Sequence, residues 1–316
     1  MANVYSNSPG THPEGNVGTK RENVRERRNY RHIEVRPYAP NLGAEVRGID
    51  LADGLTVDQF TEVHQAHLDH QVLFFKGQSP IAPATQIAIG RMFGELHFHP
   101  AAPGMDGFPE VFEIHAHAGS KIANGEFWHS DVSCDELPPL GTMLQIHILP
   151  ESGGDTMFAD SYAAWDALSD PLKAMLEGLT CTHNDARGAL SAEHPVVRVQ
   201  PGTGRKSLFV NKQFSRRIPQ LSRPESQMLL AHLFRWQEQV RLSCRWRWST
   251  GDVVIWDERF TLHSVVDDTK ERRLLHRATV LGDEPPLGVP DAPTWPEYER
   301  NKMASSGYFG IGGYEF

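Results

Sequence analysis

The sequence predicts a mainly β protein, a sandwich or jelly roll with helices packed outside it. Short apolar runs recur between Gly, Pro, Asn and Asp turn signals, and only a few segments keep helical spacing for long. Val240, Leu242, Cys244, Trp246 and Trp248 alternate with Arg241, Ser243, Arg245 and Arg247, the period-two pattern of a strand with one buried face.

In chain order, residues 1–31 are polar and end in a basic run through Lys20, Arg21, Arg25, Arg27, Arg28 and Arg31. Such a segment buries too little apolar surface to offset its ordering entropy, so a disordered or partner-draped arm is expected. The folded unit is expected over 32–285, opening with strand-like pieces at 33–35 and 43–51. Thr56 is a plausible N-cap for a helix over 56–70 carrying Phe60, Val63 and Leu68, and residues 72–75 read as a buried strand. A second helix is expected over 83–92, stopping near Gly94. If 97–99 is extended, His97 and His99 share a face, near a site or simply hydrogen-bonded in a loop. A strand over 111–115 follows, then a loop over 118–126 that could close on a pocket.

Beyond it, 144–149 reads as a strand, 152–156 as a tight turn, and 162–168 and 171–179 as helices. Strands at 195–199 and 207–211 flank the turn signal 201–204, and a helix over 222–239 has Pro224 in its first turn. The turn Gly251-Asp252 leads into a strand at 253–256, residues 257–261 lead to His263, and the last strand spans 273–281. The Pro- and Gly-rich tail, 286–316, either docks on a neighbouring subunit or beside the pocket, or forms a disordered end.

Composition narrows the function. The net charge of −9 argues against nucleic-acid binding through bulk electrostatics. No apolar run approaches the roughly 20 residues that span a bilayer, and the first residues lack a signal-peptide core, so a cytoplasmic protein with no membrane partner is expected. Cys134, Cys181 and Cys244 are too few and too far apart for a disulfide framework or a cysteine zinc site.

His-x-Asp occurs at His67-Asp69, His129-Asp131 and His183-Asp185. The first falls in a helical run, where residues two apart diverge; the third has no glycine-rich segment close behind. In an extended stretch His129 and Asp131 point the same way, about 7 Å apart at their backbones. With His263 as a third ligand they would form a two-histidine, one-carboxylate triad, which leaves positions on a ferrous iron open. On the last strand Arg273, Leu275, Arg277 and Thr279 share a face. Two inward guanidinium groups there would need anions to meet them, and arginine's planar fork suits a carboxylate-like group.

These residues stand within a series of collinear blocks: 93–100 (FGELHFHP), 128–132 (WHSDV), 153–156 (GGDT), 208–211 (LFVN), 245–248 (RWRW), 251–257 (GDVVIWD), His263 and 272–279 (RRLLHRAT). Together they resemble the taurine dioxygenase (TauD/TfdA) family of Fe(II)- and 2-oxoglutarate-dependent dioxygenases. The resemblance implies a double-stranded β-helix core, jelly-roll and cupin-like, with flanking helices. It implies His129, Asp131 and His263 on iron, and Thr156 and Arg273 on the distal carboxylate of 2-oxoglutarate. His99 and Arg277 match positions that meet the substrate's sulfonate, and Phe214 matches an aromatic pocket wall. Ala102 and Gly125 stand where taurine dioxygenase has a tyrosine and an asparagine, which implies a larger pocket.

The implied reaction consumes O2 and 2-oxoglutarate, releases succinate and CO2, and hydroxylates a small or medium anionic substrate such as a sulfonate, sulfate ester or related acid. Aryloxyalkanoates or phosphate esters in a biosynthetic pathway are the alternative substrates. A non-catalytic sensor of a metal and a 2-oxoacid is the alternative of a different class, and Asp131 leaves no iron position for a halide. A homo-oligomer is expected.

Overall fold

The runs Val72–Phe75 and Val253–Asp257 are buried throughout, so both faces of each need cover. They pair at the centre of the largest sheet of the computed structural model, which describes residues 28–98, 104–117, 125–185 and 188–299. The strands are β1 (Glu34–Pro37), β2 (Ala44–Arg47), β3 (Val72–Phe75), β4 (Val111–Ala116), β5 (Gly141–Ile148), β6 (Thr156–Asp160), β7 (Thr180–Asn184) and β8 (Ser191–Pro195). They continue with β9 (Val197–Val199), β10 (Lys206–Leu208), β11 (Ser215–Arg217), β12 (Ser243–Trp246), β13 (Val253–Asp257), β14 (Thr261–Val265) and β15 (Arg273–Val280). The helices are α1 (Val57–His70), α2 (Pro83–Phe93), α3 (Ser161–Asp166), α4 (Asp170–Leu176) and α5 (Arg223–Gln237).

The large sheet has the order β1-β2-β3-β13-β5-β15-β4, antiparallel except for β2 beside β3. A three-stranded sheet, β12-β6-β14, faces it. Between the two lies an apolar layer in which Phe74, Val254, Leu144 and Leu275 meet Phe158, Cys244, Trp246 and Trp248. The alternate residues Phe75, Val253, Ile255 and Met143 point the other way and pack with Val63 and Ala66 of α1 and Ile89 of α2. Strand periodicity thus splits one sheet between a sandwich interior and a helical cover. A third cluster joins α3, α4 and α5 to β7, β9 and β10.

Local chemistry explains the main boundaries. Thr56 and Gln59 form a reciprocal capping box that starts α1, and Ser222 with Glu225 does the same for α5. Residues 28–33, assigned to the boundary of the basic arm, are tied to α1: Arg28 pairs with Asp69 at 2.7 Å, and the Glu62 carboxylate accepts from the backbone N–H groups of Arg31, His32 and Ile33. At the other end the stretch beyond residue 286 also lies on the body, with Leu287 accepting from Val199 N–H and Tyr298 N–H donating to Pro219.

Several expectations needed correction. The alternating segment at 240–248 begins as a 3-10 turn, Val240–Leu242, with Val240 88% exposed and Leu242 buried against α5 instead, so Cys244, Trp246 and Trp248 alone face the sandwich interior. Thr156 ends the predicted turn but opens strand β6, and His263, which the sequence pattern assigns to no element, lies within strand β14. Strands β7, β8 and β11 were not foreseen; their residues are mostly polar, and they are held by pairing on either side of β7, whose Cys181 reaches the α5 layer. His67-Asp69 sits on α1, and His183-Asp185 runs from β7 into the following loop, so neither joins the third histidine. The three cysteines are buried free thiols. Among the described residues no helix is long and apolar enough to cross a membrane.

Candidate metal and oxoacid site

The site forms where the edge of the small sheet meets the inner face of β15. Residues 125–129 run along β14: Gly125 C=O accepts from Val265 N–H, and His129 and His263 exchange both backbone hydrogen bonds, at 3.0 and 2.8 Å. This pairing sets the two imidazoles side by side, ring centroids 4.1 Å apart. His129 Nδ1 bonds the Phe127 carbonyl at 2.6 Å, which leaves Nε2 free, 3.5 Å from Asp131 Oδ1. Ligand atoms of His129, Asp131 and His263 all lie within 4.8 Å of one another, and the three residues are buried. They are the one such group of three among the described residues.

The loop that carries Asp131 is strained and anchored. Val132 takes φ 44°, in the left-handed region that a β-branched residue rarely adopts. Its carbonyl accepts from Asp135 N–H, and Asp131 N–H donates to Glu258 Oε2 at 2.9 Å. Glu258 Oε1 accepts from Thr142, and Ser130 Oγ donates to the Glu258 carbonyl. Arg277 reaches the other side of Asp131, Nη1 to Oδ2 at 3.0 Å. Burial alone would raise the Asp131 pKa, but the Arg277 guanidinium and the bond to His129 hold it well below the usual carboxylate range. Burial, and then the Asp131 charge, push Glu258 well above it. Burial and the neighbouring His129 keep His263 neutral, as a metal ligand must be.

A second subsite lies across the sandwich. Arg273 is buried, and its Nε and Nη2 meet no hydrogen-bond partner. Its guanidinium lies 5.9 Å from the Trp248 ring centroid, and Trp248 Nε1 donates to Thr156 Oγ1 at 3.0 Å. With its oxygen already accepting, the Thr156 hydroxyl can turn its own hydrogen toward a ligand. An unpaired buried guanidinium is costly, and a carboxylate bonded by Arg273 and Thr156 would remove that cost. The donor set therefore fits an oxoacid here and a divalent metal at the triad.

Phe214 stands beside the triad, its ring 6.4 Å from that of His129, and its N–H is held by Asn211. His97, Phe112, Arg277 and Thr279 line a small cavity beside β15. His99 and Ala102, and residues 118–124 of the expected loop, lie outside the described residues. Sequence reasoning missed Glu258 and Thr142. The one signal for Glu258 is an acid five residues before His263 in a turn, where acids are common.

A cupin-like sandwich bearing an open two-histidine, one-carboxylate group has the make-up of a non-haem iron oxygenase. Comparison with known proteins gives the family. Residues 34–279 match the profile of the taurine catabolism dioxygenase TauD, TfdA family, and the chain belongs to it. An alpha-ketoglutarate-dependent sulfate ester dioxygenase of Pseudomonas putida is 32% identical, over 81% of this chain and 92% of that protein. An alkylsulfatase of Acinetobacter baylyi is 33% identical, over 79% and 86%. The crystal structure of a taurine dioxygenase from Burkholderia xenovorans superimposes with a TM-score of 0.75 at 32% identity, covering 85% of this chain and 97% of that one. The chain is an Fe(II)- and 2-oxoglutarate-dependent dioxygenase with the expected jelly-roll core.

Proposed function

We propose that the enzyme oxidises the carbon bearing a sulfate ester or a related sulfur oxyanion. The observation that carries this is Arg277: a guanidinium on the inner face of β15, against Asp131, with its Nε unpartnered and a small cavity before it. Similarity to the sulfate ester dioxygenase and the alkylsulfatase supports the oxyanion. His129, Asp131 and His263 would hold the iron, and Thr156 and Arg273 the distal carboxylate of 2-oxoglutarate. His99, Arg277 and Phe214 would hold the substrate.

Iron with 2-oxoglutarate and dioxygen, when bound, supplies the oxidant that hydroxylates a C–H bond, the cosubstrate leaving as succinate and CO2. This chain's residues decide which bond is exposed to it. Arg277 anchors the anion, so the neighbouring carbon lies beside the triad, and Phe214 confines the organic part. A hydroxyl on a carbon that carries a sulfate ester collapses to an aldehyde and hydrogen sulfate. The C–O bond to sulfate breaks, and Arg277 balances the charge of the leaving group.

The reading extends to organisation: residues 32–285 act as one catalytic domain of a cytoplasmic homo-oligomer, flanked by an arm and a tail. The test is succinate and aldehyde formation with Fe2+, 2-oxoglutarate and a panel of alkyl sulfates, alkanesulfonates, aryloxyalkanoates and phosphate esters. Substrate-dependent succinate with sulfate esters is expected, and turnover confined to aryloxyalkanoates would move the substrate class. No turnover with any of them would sink the proposal.

A further inference from the structure

The two imidazoles of the triad are supported differently from behind. His129 Nδ1 has a backbone carbonyl at 2.6 Å, which fixes its tautomer and points Nε2 into the site. His263 Nδ1 is buried and hydrogen-bonded to nothing, and the group it faces is Glu258, whose Oε2 lies 3.7 Å away. That distance is about 0.8 Å longer than a hydrogen bond. The Glu258 side chain is 0% exposed, and no Lys or Arg forms an ion pair with it among the described residues. Its two oxygens are instead fixed by Asp131 N–H and the Thr142 hydroxyl, each at 2.9 Å. A fully buried acid is costly to keep unless something else at the site needs it. The Oε2 that accepts from the Asp131 backbone is also the oxygen nearest the His263 ring, and those two residues stand on separate chain segments.

We propose that Glu258 is a positioning residue of the metal centre: it accepts the Nδ1 hydrogen of His263 and so presents Nε2 of that ring alongside His129 and Asp131. The assignment rests on the reading of the triad as a metal site. Metal-bound histidines are commonly oriented in this way by an acceptor on the far nitrogen, and removing the acceptor weakens metal binding by roughly 10- to 100-fold. Glu258 also makes one carboxylate responsible for both placements, because the oxygen that orients His263 is the oxygen that anchors the Asp131 backbone.

The experiment uses the full chain as wild type, Glu258→Leu and Glu258→Gln, each checked for fold by circular dichroism. Mn2+ dissociation constants come from the electron paramagnetic resonance signal of the free ion. Glu258→Leu should bind Mn2+ roughly 10- to 100-fold more weakly, and Glu258→Gln, which keeps an accepting oxygen, should recover most of that loss. A long-range 1H–15N imidazole spectrum of the Zn2+-loaded wild type gives the tautomer directly and decides the matter even if a variant fails to fold. His263 should carry its hydrogen on Nδ1 and exchange it slowly with water. In Glu258→Leu that exchange should become fast while the His129 signal stays unchanged.

A wild-type His263 with its hydrogen on Nε2, or a folded Glu258→Leu with wild-type Mn2+ affinity and slow Nδ1 exchange, would overturn the proposal. Wild-type protein that binds neither ion would remove the metal reading itself, and the proposal with it.

Discussion

Replacing Arg273 with methionine should stabilise the ligand-free protein and at the same time destroy its affinity for 2-oxoglutarate. Burial pushes the guanidinium down to about 10, only partly offset by the Asp155 charge. Against its usual value above 12 that is a cost of roughly 3 kcal/mol. Two of its nitrogens are buried with no partner. Methionine fills a similar shape without charge or donors, so an increase in unfolding free energy of about 1–3 kcal/mol is expected, as when other buried ionic groups are replaced by apolar ones. With 2-oxoglutarate the sign reverses. Charge-assisted hydrogen bonds contribute about 1.5–3 kcal/mol each, so losing a two-pronged contact should weaken binding by roughly 100-fold or more. The assay is urea unfolding in a chelator, paired with titration of 2-oxoglutarate into the Mn2+-loaded protein. A variant that is less stable without ligand yet binds 2-oxoglutarate like wild type would show that Arg273 serves some other partner.

Arg277→Ala should do the complementary thing: raise KM for a sulfate ester roughly 100-fold, while the dissociation constant for 2-oxoglutarate changes only a few-fold. Equal losses for both ligands would mean that the two arginines are misassigned. Gly125→Ala should lower stability by roughly 1–2 kcal/mol and weaken Mn2+ binding, because the site has φ +89° and a Cβ would stand 3.2 Å from His129 Cε1; unchanged melting and binding would refute this. Acid should weaken the fold through His67 and His183, both buried, with pKa values depressed by burial to about 4 and about 3. The stability held by these neutral rings is complete above an unfolded pKa of about 6.5. It is lost as pH falls toward the folded values, each ring costing roughly 2 kcal/mol by pH 5. Urea midpoints at pH 7.5 and pH 5 measure it, and equal midpoints would contradict the burial argument.

The parts of the fold that were legible rest on local rules. The capping box at Thr56, the apolar run at 72–75 and the shared face of Arg273 and Arg277 each follow from spacing, and the structure places all three as expected. Val240 broke the same kind of rule. Its alternation with Leu242 and Cys244 is real, but the 3-10 turn Val240–Leu242 that follows α5 takes the chain out of strand geometry before the pattern can be used. Strands β6 and β14 were less visible because polar residues interrupt their apolar pattern. Thr156 and His263 occupy positions where a plain strand would carry an apolar residue facing the core.

The triad separates what spacing can and cannot give. The expectation of an extended stretch pairs His129 with Asp131. His129 does bridge to β14, but Asp131 opens a turn, and its bonds to Glu258 and Arg277 rather than strand alternation bring it beside His129. Joining them to His263 required the register of residues 125–129 against β14, a contact made across more than a hundred residues, and here the family resemblance supplied what local pattern could not. No such help existed for Glu258. A carboxylate in a turn after a strand reads as a solvated residue, and only the closing of that turn over Leu140, Thr142 and the Asp131 loop removes it from water. Ligands can be inferred from the chemistry they must do, whereas the groups that aim them depend on which distant segments arrive beside them.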